Sequence, residues 1–451
     1  MPNTRKISHP LHIVIGVILL FAAASTAALA PGADGMKLTI PVSGIGDYAQ
    51  AVVRDPSGNI VLAGSNGGNS SVLVRLTPAG ALDLSFGVNG IAINDLDVSR
   101  GDALRALVSL DDGRYLGCGS FNSIATSYDF FVARFSSTGF ADGGFAAGGV
   151  AVTAFTGASQ TSTDQCNSLA VQTDGMIVAA GMTTVAGHSH VALVRYTSSG
   201  ALDAGFGTGG LVDINAAALA NGDSEARALV LQPDGKLLIA GYAFGSGTSD
   251  LLVMRLNTNG SPDGSFGSGG ITRTAVGTSD DFANAMVRQP DGRIVVAGST
   301  YASGGQRDFV LARYTTAGAL DPSFGSGGIV TTAVGPSDDY AYSLILMPWG
   351  RLIAAGSARI DTSTAGTDLA VVAYNADGSL DRYFGVGGKR MLDISAFNDA
   401  IYGLASDISG GRFWAVGTAY GSLTTAQDFL AVEFGLPDTI FRYDFETGNT
   451  P

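Results

Sequence analysis

Gly318–Gly328 reads GALDPSFGSGG, and five other stretches of the chain are variations on it. They are GALDLSFGVNG at 80–90, GFADGGFAAGG at 139–149, GALDAGFGTGG at 200–210, GSPDGSFGSGG at 260–270 and GSLDRYFGVGG at 378–388. The motif phenylalanines, Phe86, Phe145, Phe206, Phe266, Phe324 and Phe384, recur every 58 to 61 residues. A fixed period of that length marks a repeat architecture, in which each unit is one small module that buries its apolar surface against its neighbours.

Working outward from the motif, each unit reads as four short strands, a to d. In the unit at 281–334, Ala283–Arg288 is strand a and Gln289-Pro290-Asp291-Gly292 is a tight turn, with proline fixing φ and glycine allowing φ > 0. Strand b is Arg293–Ser299, strand c Asp308–Thr315, and strand d Ile329–Val334 after the motif. Short β-branched runs bounded by glycine favour strand over helix. Strand b ends in Ala-Gly at 63–64, 180–181, 240–241, 297–298 and 355–356, in Cys118-Gly119 and in Val416-Gly417, so there are seven units. The last has no d strand, whereas Met36–Val42 is a d strand with no a, b or c before it. The count closes if residues 36–42 pair into the final unit. The expected fold is all-β, a seven-bladed β-propeller of four-stranded antiparallel blades over 36–434, a closure that leaves only short, protected edges.

The LDxSFGxGG stretch, the PDG turn and the DFxxARY strand at this period resemble the delta-60 repeat family over roughly residues 36–434. The resemblance implies a propeller-like repeat protein, mostly found among exported bacterial proteins, with no established activity and no catalytic residues to carry over.

Composition agrees with an array of buried strands. The chain has 64 glycines among 451 residues, only 14% charged residues and a formal charge of −14. Residues 1–30 read as a signal peptide: Arg5 and Lys6, an apolar run at Ile13–Ala24, then small residues ending in Ala28-Leu29-Ala30. Cleavage is expected after Ala30, with Ala24 and Ala27 as alternatives and an uncleaved anchor as the competing case. The apolar run is short for a span, which needs about 20 residues, and no later segment could cross a bilayer. Removing Arg5 and Lys6 with the leader takes the charge from −14 to −16. Such a surface repels phosphate backbones, so nucleic acid is not expected as a partner. The protein is expected to be exported to the periplasm, cell surface or medium, as a monomer.

Five arginines each stand eight residues before a motif aspartate: Arg75 and Asp83, Arg134 and Asp142, Arg195 and Asp203, Arg255 and Asp263, Arg313 and Asp321. Repetition assigns them to structure: a salt bridge clamping the c–d turn to strand c, with the guanidinium fork holding the carboxylate in two bonds. Ala373 replaces the arginine in the sixth unit and Glu433 in the seventh. The a–b and c–d turns keep constant lengths, whereas the b–c and d–a connections vary. Antiparallel order puts the first pair on one rim and the second pair on the other. The b–c/d–a face is therefore where a partner is expected, since loops on a rigid frame carry recognition.

Chemistry-bearing residues are few. His188 and His190 lie in one b–c loop as GHSH, with no third ligand indicated. Asp280-Asp281 and Asp338-Asp339 precede strands a and suit either turns or calcium, the one cofactor candidate. Cys118 and Cys166 occupy small-residue slots in adjacent units, as a disulfide or as two buried thiols. Trp349 replaces the aspartate of a PDG turn and could stack on a sugar or be an incidental surface aromatic. Residues 435–451 form an acidic, aromatic tail outside the repeat. No GxSxG, HExxH or CxxC occurs. The expected function is a binding or structural scaffold presenting variable loops to a protein or glycan partner, with no catalytic or cofactor-binding residues indicated. The alternative is a hydrolase or lyase at the axial channel mouth, which needs convergent groups that repeat-to-repeat sameness leaves few residues to supply.

Overall fold

The structure is a computed structural model that describes residues 34–436, apart from 44–45, 68–69, 98–100, 123–127, 156–162, 218–221, 246, 302–304, 361–365, 396, 408–410 and 421–426. The expected leader, and the tail beyond Leu436, lie outside the described residues.

The described residues form seven four-stranded antiparallel sheets. Six are sequential hairpins. In blade 5 strand a is Phe282–Arg288, b is Ile294–Tyr301, c is Arg307–Tyr314 and d is Ile329–Thr332. The seventh sheet takes Ala400–Asp407, Arg412–Tyr420 and Gln427–Gly435 from the C-terminal end and adds Asp34–Ile40 on its outer edge. There Thr39 stands opposite Leu430 and Ile40 opposite Phe429. The ring is closed by the pairing the repeat count requires. Its closing strand starts and stops two residues earlier than the sequence suggested, and it stops before Pro41, which has no N–H to add to a ladder.

Strand d is also shorter than expected in the six complete repeats, at four residues. The cause lies in the next blade. In blade 5 the amides of Val334 and Gly335 leave the sheet and donate to buried Asp339, at 2.7 Å and 3.1–3.2 Å. Asp281 does the same for Val276 at 2.7 Å, Asp47 for Val42 at 2.8 Å and Asp399 for Ile394 at 3.0 Å. The backbone N–H of Asp47, Asp164, Asp281, Asp339 and Asp399 in turn donates to a carbonyl at the start of the preceding blade's strand c. Each such aspartate pins a d–a connection to two blades at once.

The core lies between blades. Strands b and c are buried on both faces, which explains apolar runs such as LIAAGSA and DLAVVAY that do not alternate. Seven apolar layers result, each shared by two neighbouring sheets, and the layer of Ile40, Trp414, Val416 and Phe429 with Ile60, Leu62 and Val72 closes the circle between blades 7 and 1.

The motif residues seal these layers. All six motif phenylalanines are fully buried. Each of the first five packs on the first glycine of the next copy. A Cβ on Gly318 would sit 2.8 Å from the Phe266 ring, and one on Gly378 would sit 2.9 Å from Phe324. These glycines also hold φ of +86° to +89°, where a side chain is strained. Beside them a backbone bond crosses the junction, as in Gly267 N–H to Ala317 O at 2.9 Å and Gly325 N–H to Asp377 O at 2.9 Å.

Candidate functional site

On the uniform face, the five arginine–aspartate pairs are ion pairs with Nε–Oδ2 distances of 2.7–2.8 Å. The fork is used differently from the expected two bonds to one carboxylate. In blade 5, Arg313 Nε binds Asp321, Nη2 donates to Ser323 Oγ at 2.9 Å, and Nη1 donates to Ala376 O of the next blade at 2.6 Å. The same guanidinium lies 4.6 Å from the Phe324 ring centre. Each arginine thus joins its own turn to the following blade, a span that spacing within one repeat could not reveal. A second cation from the a–b turn, Arg114, Lys236, Arg293 or Arg351, reaches the aspartate in four blades at 2.8–3.1 Å. Lys236, followed by Ser265, holds Asp263 well below the usual carboxylate range. Where Ala373 replaces arginine, Arg351 pairs with Asp381 and Arg390 covers the Phe384 ring.

On the other rim several expectations meet firm geometry. His188 and His190 are not in a loop: they begin strand c, His188–Tyr196, after a two-residue turn at Ala186 (φ 51°) and Gly187 (φ 89°). His190 Nδ1 lies 2.8 Å from Asp213 and His188 Nδ1 lies 3.6 Å from Asp223. Asp280 and Asp338 accept the first N–H of the preceding blade's strand c, at 2.8 Å each. Asp281 has both oxygens engaged by amide and hydroxyl donors, and Asp339 has both engaged by amides. A calcium ion there would have to displace backbone bonds. Three other carboxylates, of Asp368, Asp393 and Asp399, have ligand oxygens within 4.8 Å of one another. Cys118 and Cys166 form a disulfide between strand b of blade 2 and strand a of blade 3, with Cα atoms 5.8 Å apart. Trp349 is 63% exposed on the a–b rim, away from the variable face.

The feature the sequence reading missed lies at the axis. Strand a is innermost, and its seven copies contact one another in a closed ring. Every strand a carries a β-bulge opposite the Ala-Gly, Cys-Gly or Val-Gly step of strand b. The glycine is required because a Cβ there would fall 1.7–1.8 Å from a strand-a carbonyl oxygen. The extra residue of the bulge is released from pairing. These residues are Gln50, Arg105, Asn167, Arg227, Asn284, Tyr342 and Tyr402. They touch around the axis: Arg227 Nη1 donates to Asn284 Oδ1 at 2.6 Å, and the Tyr342 and Tyr402 rings are 5.2 Å apart. The frame repeats and its inward residue does not.

Residues beside the bulge widen this collar at the mouth nearest the variable loops. Glu225, buried to 8% exposure, accepts from Asn167 Nδ2 at 2.8 Å and lies 3.4 Å from Arg227. Arg227 stacks over Tyr242 at 4.8 Å and Phe282 at 5.1 Å. Arg307 stacks over Tyr301 at 4.3 Å and Phe282 at 5.0 Å. Tyr340 stands parallel to Tyr342, with ring centres 6.1 Å apart. Burial pushes up the hydroxyls of Tyr340, Tyr342 and Tyr402, and pushes Tyr242 to about 12 with help from the Glu225 charge. Burial lowers the Arg105 guanidinium, though Arg105 still reaches solvent in the lumen. The mouth therefore offers hydrogen-bond donors, cations and flat ring faces. The expected scarcity of non-repeated polar groups at the channel is not what the fold provides. One signal was present in the sequence: this is the strand-a position that changes between copies while both neighbours keep small or apolar residues.

Among solved structures the fold is similar to Sqt1 from Chaetomium thermophilum (13% identity, TM-score 0.43, covering 84% of this chain and 83% of that one) and to the polysaccharide lyase Uly1 (10%, 0.45, 86% and 90%). It is also similar to a subtype N11 neuraminidase-like protein of A/flat-faced bat/Peru/033/2010 (H18N11) (10%, 0.39, 89% and 92%). These likenesses concern fold alone. No curated protein shows significant sequence similarity to the chain. The family model described as "Domain of unknown function (DUF5122) beta-propeller" matches residues 56–86, 110–145, 172–206, 232–266 and 289–324, each from an a–b turn to a motif phenylalanine. The chain is a β-propeller repeat protein, five of whose repeats fit the DUF5122 beta-propeller model.

Proposed function

We propose that this protein is an exported binding scaffold that engages a protein or glycan partner with its b–c/d–a face, centred on the axial collar. The observation that carries the reading is the contrast between rims. One face repeats the same ion pairs and turns, and the other gathers Arg105, Arg227, Arg307, Glu225 and a run of tyrosines that no two blades share in full. Side chains that vary on a frame that does not are positioned for recognition. The delta-60 resemblance, export through residues 1–30 and exclusion of nucleic acid by the acidic charge belong to the same proposal. Among the described residues no helix is long and apolar enough to cross a membrane.

The test is a binding screen of the full chain against surface glycans and envelope proteins. Tyr342→Ala and Arg227→Ala should abolish capture, and Tyr383→Ala on the opposite rim should not. Capture lost only with Tyr383→Ala would overturn the proposal. Fractionation with N-terminal sequencing should find a mature chain beginning after Ala30, Ala27 or Ala24.

A second reading, an enzyme at the same mouth, is favoured by the convergence of Tyr340, Tyr342, Tyr402 and Glu225. Against it, a tyrosine acting as general base needs its pKa drawn down towards the working pH. Every collar tyrosine with a resolved shift is pushed up instead. Mass spectrometry of any bound glycan after incubation decides the matter: cleaved product favours the enzyme.

A further inference from the structure

The collar is not symmetric about the axis. Blades 2, 4 and 5 contribute Arg105, Arg227 and Arg307; the carboxylates described at the same rim are already engaged, Glu225 by Arg227 and Asn167, and Asp223, Asp280 and Asp338 by strand-c amides. Blades 6, 7 and 1 contribute Tyr340, Tyr342, Tyr402 and Tyr48. Cations gather here in a chain that carries 39 acidic residues against 25 basic ones. Arg227 and Arg307 are stacked on rings and hydrogen-bonded. Arg105 is different: among the described residues its guanidinium has no hydrogen-bond or ion-pair partner, yet it senses both Glu225 and Arg227. An unpaired guanidinium facing a lumen has its whole donor fork available for a planar anion.

The tyrosine side supplies what a sugar chain needs. Tyr340 and Tyr342 are stacked with their planes within 2°, Arg307 lies 5.9 Å over the Tyr340 ring, and Tyr402 sits 5.2 Å from Tyr342 with its ring tilted by 39°. Flat rings accept the C–H faces of pyranose rings, and protonated phenols donate to sugar hydroxyls. An acidic peptide would use the arginines but would leave the tyrosine cluster without a matching surface.

We propose that the collar binds a carboxylate-bearing sugar chain, a polyuronate segment, with sugar rings on Tyr340, Tyr342 and Tyr402 and a carboxylate on Arg105. This rests on the binding-scaffold reading above and names its ligand class.

The experiment is calorimetric titration of the full chain at low salt with a short oligogalacturonate, its methyl ester and an oligoglutamate of equal charge. Binding is expected for the oligogalacturonate alone. Arg105→Gln should weaken it roughly ten- to a hundredfold, the loss of one charge-assisted contact. Arg105→Lys should lose less, and Tyr342→Ala should weaken it about tenfold through lost stacking. Unchanged thermal unfolding of Arg105→Gln separates a ligand contact from a structural one. Equal binding of the methyl ester overturns the carboxylate requirement, equal binding of oligoglutamate assigns the site to acidic peptides, and no binding of any probe overturns the proposal. If the collar variants still lose a partner captured in the wider screen while oligogalacturonate fails to bind, the scaffold reading stands and only the ligand class falls.

Discussion

At the scale of single residues, the fold depends on a few positions where a side chain or its absence is required on both sides of a blade junction. Gly318 is one. It holds φ of +86°, and a Cβ would press on the Phe266 ring of the preceding blade at 2.8 Å. Gly318→Ala should cost about 2–4 kcal/mol, from the left-handed backbone and overpacking together, read as a lower urea midpoint. Arg313 is another, because it serves Asp321, Ser323, Ala376 and Phe324 at once. Arg313→Ala should cost roughly 3 kcal/mol by leaving a buried carboxylate under-paired. Arg313→Lys should recover only part of that, since an ammonium keeps the charge but cannot span the same three acceptors. Equal stability of wild type and the lysine variant in denaturant would show that the fork is not needed.

At the scale of strands and blades, the disulfide adds a covalent link between two sheets that also meet through apolar side chains, the Arg134–Ser198 and Thr153–Tyr196 hydrogen bonds and backbone bonds of the turns. Cys118 and Cys166 close a segment 48 residues apart in sequence. Replacing both with alanine should lower stability by about 2–4 kcal/mol, chiefly by freeing the unfolded chain, and hydrogen exchange should quicken first in strands Tyr115–Asn122 and Gln165–Val171. Both slots were legible in the sequence as small-residue positions. Their pairing was not, because it depends on how strand b of one blade faces strand a of the next. The collar follows the same rule. The Ala-Gly step was evident in the repeats, but its purpose, accommodating a bulge that turns the facing residue to the axis, appears only when the two strands are laid side by side.

At the scale of the whole ring, stability should respond to pH in two opposed ways. Burial raises Asp102, Asp339 and Asp428 to about 6. A carboxyl whose pKa is higher folded than unfolded binds protons more tightly in the native state, so it costs stability above pH 6 and stops doing so as pH falls towards about 4. Asp83, Asp142, Asp203, Asp263 and Asp321 are lowered by hydroxyl, amide and cation partners; their contribution is present above about pH 4 and is lost below it. The melting temperature should therefore peak between about pH 4 and 6. Asp339→Asn should flatten the rise between pH 7 and 5, and a Tm that climbs steadily to pH 8 would contradict the assignment. Closure can be tested at the same scale. A chain beginning at Asp47 lacks Asp34–Ile40 and exposes the edge of Gln427–Gly435. It should self-associate through that edge, visible as oligomers by light scattering.

The sequence by itself determined the number of blades, the four strands of each, the closing strand and the distinction between a uniform and a variable face. Those properties are written within one repeat, in glycines, apolar runs and turn lengths that recur every 58 to 61 residues, so the period exposes them. Only the tertiary structure decided the inter-blade reach of the arginines, the seat of each phenylalanine on the next copy's glycine, the cysteine pairing and the collar of Arg105, Arg227, Tyr342 and Tyr402. Each of these joins residues of different blades, 48 or more positions apart in the sequence, and the direction of the collar side chains is set by a bulge whose only mark in the sequence is a glycine on the neighbouring strand.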